Sequence, residues 1–351
     1  MTSSEKNPLP VLMIPLRRCG SHALRLRLNE SPDFYAPYPL HLVDFMPLLE
    51  LYGDLSIDNN YFQLINDVIG LQAGLMVKWP DIALDPVDIF ERLKDKPRSV
   101  HRVTWEMLFE IGHKQKASVV MDKSLDSVYY ADELLEIFPE MKFLNVVRDP
   151  RAQVASINKA IIHDFDTMLN TRTWVNACNK AKEIINKYPE KVLTIRFEDF
   201  ISNESEVINE ICNFFGIKFT EDMLDINHSS EAKSISIRSA LWTSNSSAPI
   251  KANVDKFKKS LSDDDIEIIE TIAGEYMDHY GYERITKGTA DVGIKATLEA
   301  EKRSNVNREK AWSDLKMKDP KDYMLRKYRS DYLAMIKLRL IRDKDIFRET
   351  A

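Results

Sequence analysis

Two arginine-bearing segments carry the residues best suited to chemistry. In the first, VLMIPLRRCGSHALRLRL, an apolar run ends in Arg17-Arg18-Cys19-Gly20-Ser21, and a helical pattern starts at Ser21. A helix N-terminus offers free backbone N–H groups and the positive end of its dipole. Gly20 lets the backbone approach a ligand closely. Ser21 adds a hydroxyl, and Arg17 and Arg18 add forked, permanently charged donors. Such a loop is expected to cradle a phosphate-like anion. The G-x-x-x-x-G-K-[ST] pattern of ATP-binding loops is missing, so an ordinary ATP cradle is not indicated. In the second segment, FLNVVRDPRAQVASIN, Arg148 ends an apolar run and Pro150 opens a helix. Ser156 falls about two turns into that helix. Arg148 and Ser156 are thus expected to meet a second anion from strand end and helix, unless Arg148 simply pairs with a carboxylate of the R-D-P turn.

These residues need a frame. Short apolar, β-branched runs at Val11–Pro15, Ser118–Met121, Lys142–Val147 and Val192–Phe197 read as buried strands. Helical patterns alternate with them at Ser21–Leu28, Ala131–Phe138, Arg151–Ile162, Thr173–Lys187 and Glu204–Phe215, the last stopped by Gly216. Ser262–Tyr280 is a further helix, with Ser262 and Asp265 as its capping pair. The alternation predicts an α/β fold, with a central parallel β-sheet flanked by helices. Residues 35–115 are less regular, rich in Pro, Tyr, Asp and Leu, and read as a mainly helical insertion over the site. A charged helical extension, residues 291–351, follows a body of residues 1–290. It is expected to pack on that body or to serve in a homo-oligomer.

Composition narrows the partners. The chain has 351 residues, 44% hydrophobic and 30% charged, with a net charge of −6. An acidic balance argues against a general nucleic-acid binder. No apolar run reaches the length of a membrane span, and the N-terminal run is too short for a signal segment. Cys19, Cys178 and Cys212 are widely spaced and odd in number, so neither a disulfide framework nor a metal site is expected. A cytoplasmic protein acting on a small molecule, with no nucleic acid and no membrane, is the expectation.

The first loop resembles the 5′-phosphosulfate-binding loop of sulfotransferases that use 3′-phosphoadenosine 5′-phosphosulfate (PAPS). Arg18-Cys19-Gly20-Ser21-His22 stands where that family has basic–Ser–Gly–Thr–Thr, and Arg18 takes the place of the catalytic Lys or Arg. The segment from Arg148 to Ser156 closely resembles the family's 3′-phosphate motif. Together they imply a P-loop-like sulfotransferase fold over about residues 9–285, with PAPS as co-substrate and no metal. They also imply donor contacts from Arg17, Arg18, Cys19, Gly20, Ser21, His22 and Ala23 at one end, and Arg148 and Ser156 at the other. RFEDF at Arg196–Phe200 is similar to the family's R-Y-E-D segment, which makes Phe197 a neighbour of the adenine. NVDKFKKSLSDDDIEIIE is similar to the late loop of bacterial members. Lys256, with Phe257 and Lys258 beside it, is implied to close over the 3′-phosphate.

The acceptor side is less conventional. VVMDKSLDSVYYADEL resembles the family's E/D-K-x-P-x-H segment. Lys123 is implied to lie near the bridging oxygen, but Ser127 stands in the histidine place and Leu125 in the proline place. Asp126 and His22 remain as candidate bases, with His41 a third. His41, Asp44, Phe45 and Trp79 are expected to line the acceptor pocket with other aromatics of the insertion. The activity implied is sulfuryl transfer to a hydroxyl or amine of a small acceptor. The alternatives are a P-loop kinase for a small metabolite, or a non-catalytic nucleotide binder of the same fold.

Overall fold

The computed structural model describes residues 6–75, 77–80, 82–225, 229–236 and 255–349. In chain order, β1 (Leu9–Ile14) leads to α1 (Ser21–Leu28) and β2 (Phe34–Tyr35), then to α2 (Asp58–Ala73), α3 (Pro86–Leu93) and α4 (Val100–Lys114). Next come β3 (Val119–Asp122), α5 (Ala131–Ile137), β4 (Lys142–Val147), α6 (Pro150–Asn158) and α7 (Thr167–Lys187). The body ends with β5 (Val192–Arg196), α8 (Phe197–Ser202), α9 (Glu204–Phe215), α10 (Ser230–Ser236) and α11 (Asp263–His279). Two long helices follow, α12 (Ile294–Lys318) and α13 (Pro320–Glu349).

The five strands form one parallel sheet in the order β2-β3-β1-β4-β5. Val11 of β1 pairs with Met121 on one side and Lys142 on the other. β1 is apolar throughout because both its faces are covered. Leu12 and Ile14 enter one core with residues of α2, α4 and α7, while Val11 and Met13 enter a second with residues of α1 and α9. Successive side chains of one strand therefore hold both helical layers. The chain reverses its strand order around β1, and ligands of open α/β sheets lie beyond the strand ends at such a point. The tips of β1, β3, β4 and β5 carry Arg17–Ser21, Lys123, Arg148 and Phe197.

The chain shows features that periodicity does not. β2 is two residues long, too short to leave a pattern. α6 ends at Asn158 rather than Ile162, and α7 begins at Thr167, capped by Asp166, whose carboxylate accepts from Met168 N–H. Residues 159–166 form a turn between them. The segment after β2 packs into the body. Tyr61, Leu64, Ile65 and Val68 of α2 lie in the same core as β1. The two C-terminal helices fold back on the body. Ile336 and Leu340 of α13 are buried in that core, and Arg339 forms an ion pair with buried Asp67 of α2. Among the described residues no helix is long and apolar enough to cross a membrane.

Candidate functional site

The turn after β1 is built for close approach. Arg18 and Gly20 both have positive φ, 72° and 93°. Left-handed backbone costs a non-glycine residue roughly 1–2 kcal/mol, and such strain persists where the surroundings enforce it. Gly20 caps α1, its carbonyl accepting from Ala23 and Leu24 N–H. A Cβ on Gly20 would lie 2.1 Å from the ring of Phe197. Gln153 of α6 steadies the loop by donating to the carbonyls of Leu16 and Arg17 at 3.1 and 2.8 Å, and Trp174 of α7 donates to Gln153 at 3.0 Å.

The second arginine segment meets this loop. Arg148 donates through Nη1 to the carbonyl of Arg18 at 2.9 Å, and its guanidinium lies 4.6 Å from the Phe197 ring centroid. Its Nε is buried without a hydrogen-bond partner among the described residues. Arg18 donates from Nε to Ser156 Oγ at 3.0 Å. The carboxylate of the R-D-P turn goes elsewhere. Asp149 binds Arg151, which also pairs with Glu270 at 2.7 Å, so Arg148 stays available to a ligand. Burial, and then the neighbouring Arg148 and Arg326, lowers the pKa of Arg18 to about 10. Burial also lowers that of Arg148. Guanidinium groups crowded and desolvated in this way favour an anion among them.

Beneath the cradle lies Lys123. It is buried, donates to Ser21 Oγ at 3.4 Å, and has its pKa pulled down to about 7, first by burial and then by Arg25. Arg25, at the back of α1, is fully buried and binds the carbonyl of Ala36 and Glu231 of α10. His22 lies 5.8 Å from the Tyr38 ring in a stacked arrangement. Burial, then Lys123, Arg25 and Arg18, pushes its pKa well below the ordinary imidazole range. His41 has φ 51°, and its backbone N–H donates to Ser124 Oγ. Burial, Arg17 and Lys123 lower its pKa similarly. His22 and His41 are thus neutral imidazoles in a cationic setting.

The remaining candidates have partners of their own. Asp126 is buried and paired with Arg17, which also reaches Asp44 at 3.7 Å, so Asp126 serves first as the counter-charge of the loop arginine. Phe45 is wholly buried against Tyr52 and presents no surface to a ligand. Trp79 is likewise buried, and its Nε1 donates to the carbonyl of Tyr38 at 2.7 Å. Asp44 is bound by Arg329 of α13 at 3.0 Å as well as by Arg17. The Cys19 thiol sits in the second core, and burial raises its pKa to about 11. Phe257 packs on Ala152 and Ala155 of α6 under the guanidinium of Arg151. Lys256 and Lys258 are exposed on that turn, with Lys258 paired to Asp255. Asn253 and Val254 of the same segment lie outside the described residues.

A family profile described as "Sulfotransferase family" matches residues 10–221. The chain belongs to the sulfotransferase family. Solved sulfotransferase domains share its fold. The domain from the Synechococcus PCC 7002 olefin synthase is 19% identical, with a TM-score of 0.51, covering 78% of this chain and 98% of that one. The domain from the curacin biosynthetic pathway is 15% identical, with a TM-score of 0.52, covering 80% and 99%. In this sulfotransferase the matched region includes Arg18, Lys123, Arg148 and Phe197, but not α12 and α13.

Sequence reasoning overlooked residues that act through tertiary contacts. Gln153 and Arg25 carry no motif. Glu198, which accepts from Asp149 N–H and from the Tyr282 hydroxyl behind Arg148, is visible only as the E of R-F-E-D-F.

Proposed function

We propose that the protein transfers the sulfuryl group of PAPS to a hydroxyl or amine of a small acceptor and releases 3′,5′-ADP. The observation that carries this reading is the joining of two cationic motifs. Arg148 and Ser156, from β4 and α6, close on the Arg18–Ser21 turn, as one ligand with phosphates at both ends requires. The residues fit such a ligand. Arg148 Nε is buried without a hydrogen-bond partner among the described residues, Gly20 leaves room for the Phe197 ring beside the turn, and α1 starts directly after it, where the first N–H groups of a helix lack helical partners.

Arg18, Lys123 and the α1 N-terminus stabilise the charge that grows on the departing phosphate oxygen, a task worth about 10²–10³ in rate per donor. Lys123 enters the reaction charged once an anion sits beside it, since an opposite charge favours the ammonium form. Arg148 and Ser156 hold the 3′-phosphate, and Phe197 flanks the adenine. Tyr38, His41 and His22 surround the place where the acceptor approaches. Lys256 stands on the turn that packs on α6, beside the 3′ end.

The experiment is a melting comparison followed by turnover. 3′,5′-ADP should raise the melting temperature, whereas ATP with Mg²⁺ should not. Labelled PAPS with an extract of small metabolites should then yield a product heavier by SO₃. Stabilisation by ATP with Mg²⁺ instead would point to the kinase alternative. Binding of 3′,5′-ADP without turnover over a wide acceptor panel would point to a non-catalytic binder.

A further inference from the structure

The stretch at residues 38–44 touches the reaction side of the site at three points. The Tyr38 ring lies 5.8 Å from that of His22, which follows Ser21 of the cradle. The backbone N–H of His41 donates at 3.1 Å to the hydroxyl of Ser124, which follows Lys123. Asp44 reaches Arg17 of the loop at 3.7 Å. These residues therefore form a wall beside the cradle. At its centre His41 has φ 51°. A residue with a Cβ keeps such a left-handed backbone only where its surroundings hold it.

One guanidinium supplies the hold. Nη2 of Arg329, on α13, donates to the carbonyls of Leu40 and His41 at 2.9 and 3.0 Å. It also donates to Oδ2 of Asp44 at 3.0 Å, and Nε donates to the same oxygen at 3.2 Å. A planar fork with donors in fixed directions can tie two carbonyls of a turn to that turn's own carboxylate. Asp44 thereby bridges Arg329 to Arg17, whose other partner is Asp126. The seat of α13 in turn fixes Arg329. A Cβ on Gly70 or Gly74 of α2 would collide with Tyr332 or Tyr328, so the two helices approach closely there. Tyr332 donates to the Asp67 carbonyl at 3.2 Å, and Ile336 and Leu340 are buried in the body. Arg326, one turn before Arg329, donates to the Ile161 carbonyl at 3.3 Å. The matched family region stops short of α13, so this hold comes from the extension.

We propose that Arg329 is a positioning residue for the acceptor, acting through the wall at residues 38–44. The proposal rests on the sulfuryl-transfer reading above and brings α13 into the acceptor side. Without Arg329, the carbonyls of Leu40 and His41 lose a charged donor, and Asp44 is left to Arg17. The turn is then free to leave its left-handed backbone, and Tyr38 and His41 lose their fixed places beside His22 and Ser124. An acceptor must restore that order as it binds, so its apparent affinity falls with the fraction of chains in which the wall is formed. The donor is gripped by other groups, Arg18, Arg148 and the start of α1, and its affinity does not depend on this turn.

The test uses the full chain, labelled PAPS, and a series of simple alcohols, phenols and amines, of which the fastest acceptor is kept. Arg329→Met should raise the KM of that acceptor by roughly tenfold to a hundredfold, the worth of a charged hydrogen bond, with a smaller change in kcat. Its 3′,5′-ADP affinity should match that of the unsubstituted chain. Arg329→Lys keeps the charge opposite Asp44 without the fork, and should recover part of the KM. Amide hydrogen exchange at His41 and Asp44 should quicken in Arg329→Met and not in the helices of the body. A quickened turn with an unchanged KM would overturn the proposal alone. So would equal falls in kcat, 3′,5′-ADP affinity and melting temperature in both variants, the mark of a general loss of structure. An unsubstituted chain that transfers label to no member of the series would remove the sulfuryl-transfer reading, and this assignment with it.

Discussion

Arg18 Nε and Ser156 Oγ, 138 positions apart in sequence, are 3.0 Å apart in the fold. The residue at the reaction-centre loop is therefore oriented by the residue expected at the distal phosphate. On the proposed reading Arg18 is a donor to the leaving oxygen, so Arg18→Ala should lower kcat by roughly 10²–10³-fold. Its effect on 3′,5′-ADP affinity should be smaller, since Arg148 and the α1 N-terminus remain. Ser156→Ala should reduce both, each by several-fold, because one hydroxyl serves ligand and arginine. Steady-state rates and calorimetry on the two variants separate these effects. Equal losses of binding and no difference in kcat would contradict the assigned roles.

Arg148 acts through geometry as much as charge. It donates to the Arg18 carbonyl and stacks 4.6 Å from the Phe197 ring. Arg148→Ala should weaken 3′,5′-ADP binding by about 1.5–3 kcal/mol, roughly tenfold to a hundredfold. Arg148→Lys should recover only part of that, since an ammonium neither forks nor stacks as a guanidinium does. Isothermal titration decides it. A lysine variant equal to the unsubstituted chain would show that charge alone suffices.

Gly20 is constrained twice, by φ 93° and by the Phe197 ring 2.1 Å from a built Cβ. Gly20→Ala should abolish the stabilisation of the fold by 3′,5′-ADP. Adding Phe197→Ala clears the space but not the backbone conformation, which still costs roughly 1–2 kcal/mol. The double variant should thus bind weakly rather than normally. Full recovery would mean that the ring, not the backbone, is the constraint.

Lys123 supplies a pH signature. Burial and Arg25 hold its pKa near 7. A bound anion favours the ammonium form, so the pKa rises on binding. Above pH 7, binding of 3′,5′-ADP should take up a proton, and affinity should fall as pH rises from about 7 toward the bound-state pKa. Calorimetry in buffers of different ionisation enthalpy counts that proton. Lys123→Met should remove the uptake. Uptake that persists in this variant would assign the proton to another group.

Much of this was legible before any coordinates, for physical reasons. Both arginine segments lie next to fully buried strands, whose continuous apolar runs mark the strand ends where site residues cluster. The Ser262–Asp265 capping box and the Gly216 stop are local, and the structure has both. Other features depend on distant sequence. Nothing near Asp126 announces that Arg17 will neutralise it. Phe45 and Trp79 look like pocket aromatics because composition cannot tell a lining ring from a core ring. The turn at residues 159–166 begins inside the stretch that periodicity reads as helix up to Ile162. The C-terminal helices read as a separate charged extension because their few buried apolar positions, such as Ile336 and Leu340, are diluted among lysines and arginines.

That last point yields a stability prediction. Asp67 of α2 is buried, accepts from the Tyr52 hydroxyl, and meets Arg339 of α13 at 3.0 Å. Removing one partner of a buried pair leaves the other charge uncompensated. Arg339 is 37% exposed, so water and salt already screen part of the interaction. Arg339→Met should therefore cost about 1–3 kcal/mol rather than the full penalty of an interior ion. Pairing it with Asp67→Asn removes the stranded charge and should recover most of the loss, a positive coupling in a double-mutant cycle. Donor binding should be untouched in all three variants, because Asp67 and Arg339 lie apart from the Arg18–Arg148 cradle. Urea unfolding and 3′,5′-ADP titration on the same samples check both halves. Additive losses in the cycle would show that the Asp67–Arg339 pair does not help to hold α13 on the body.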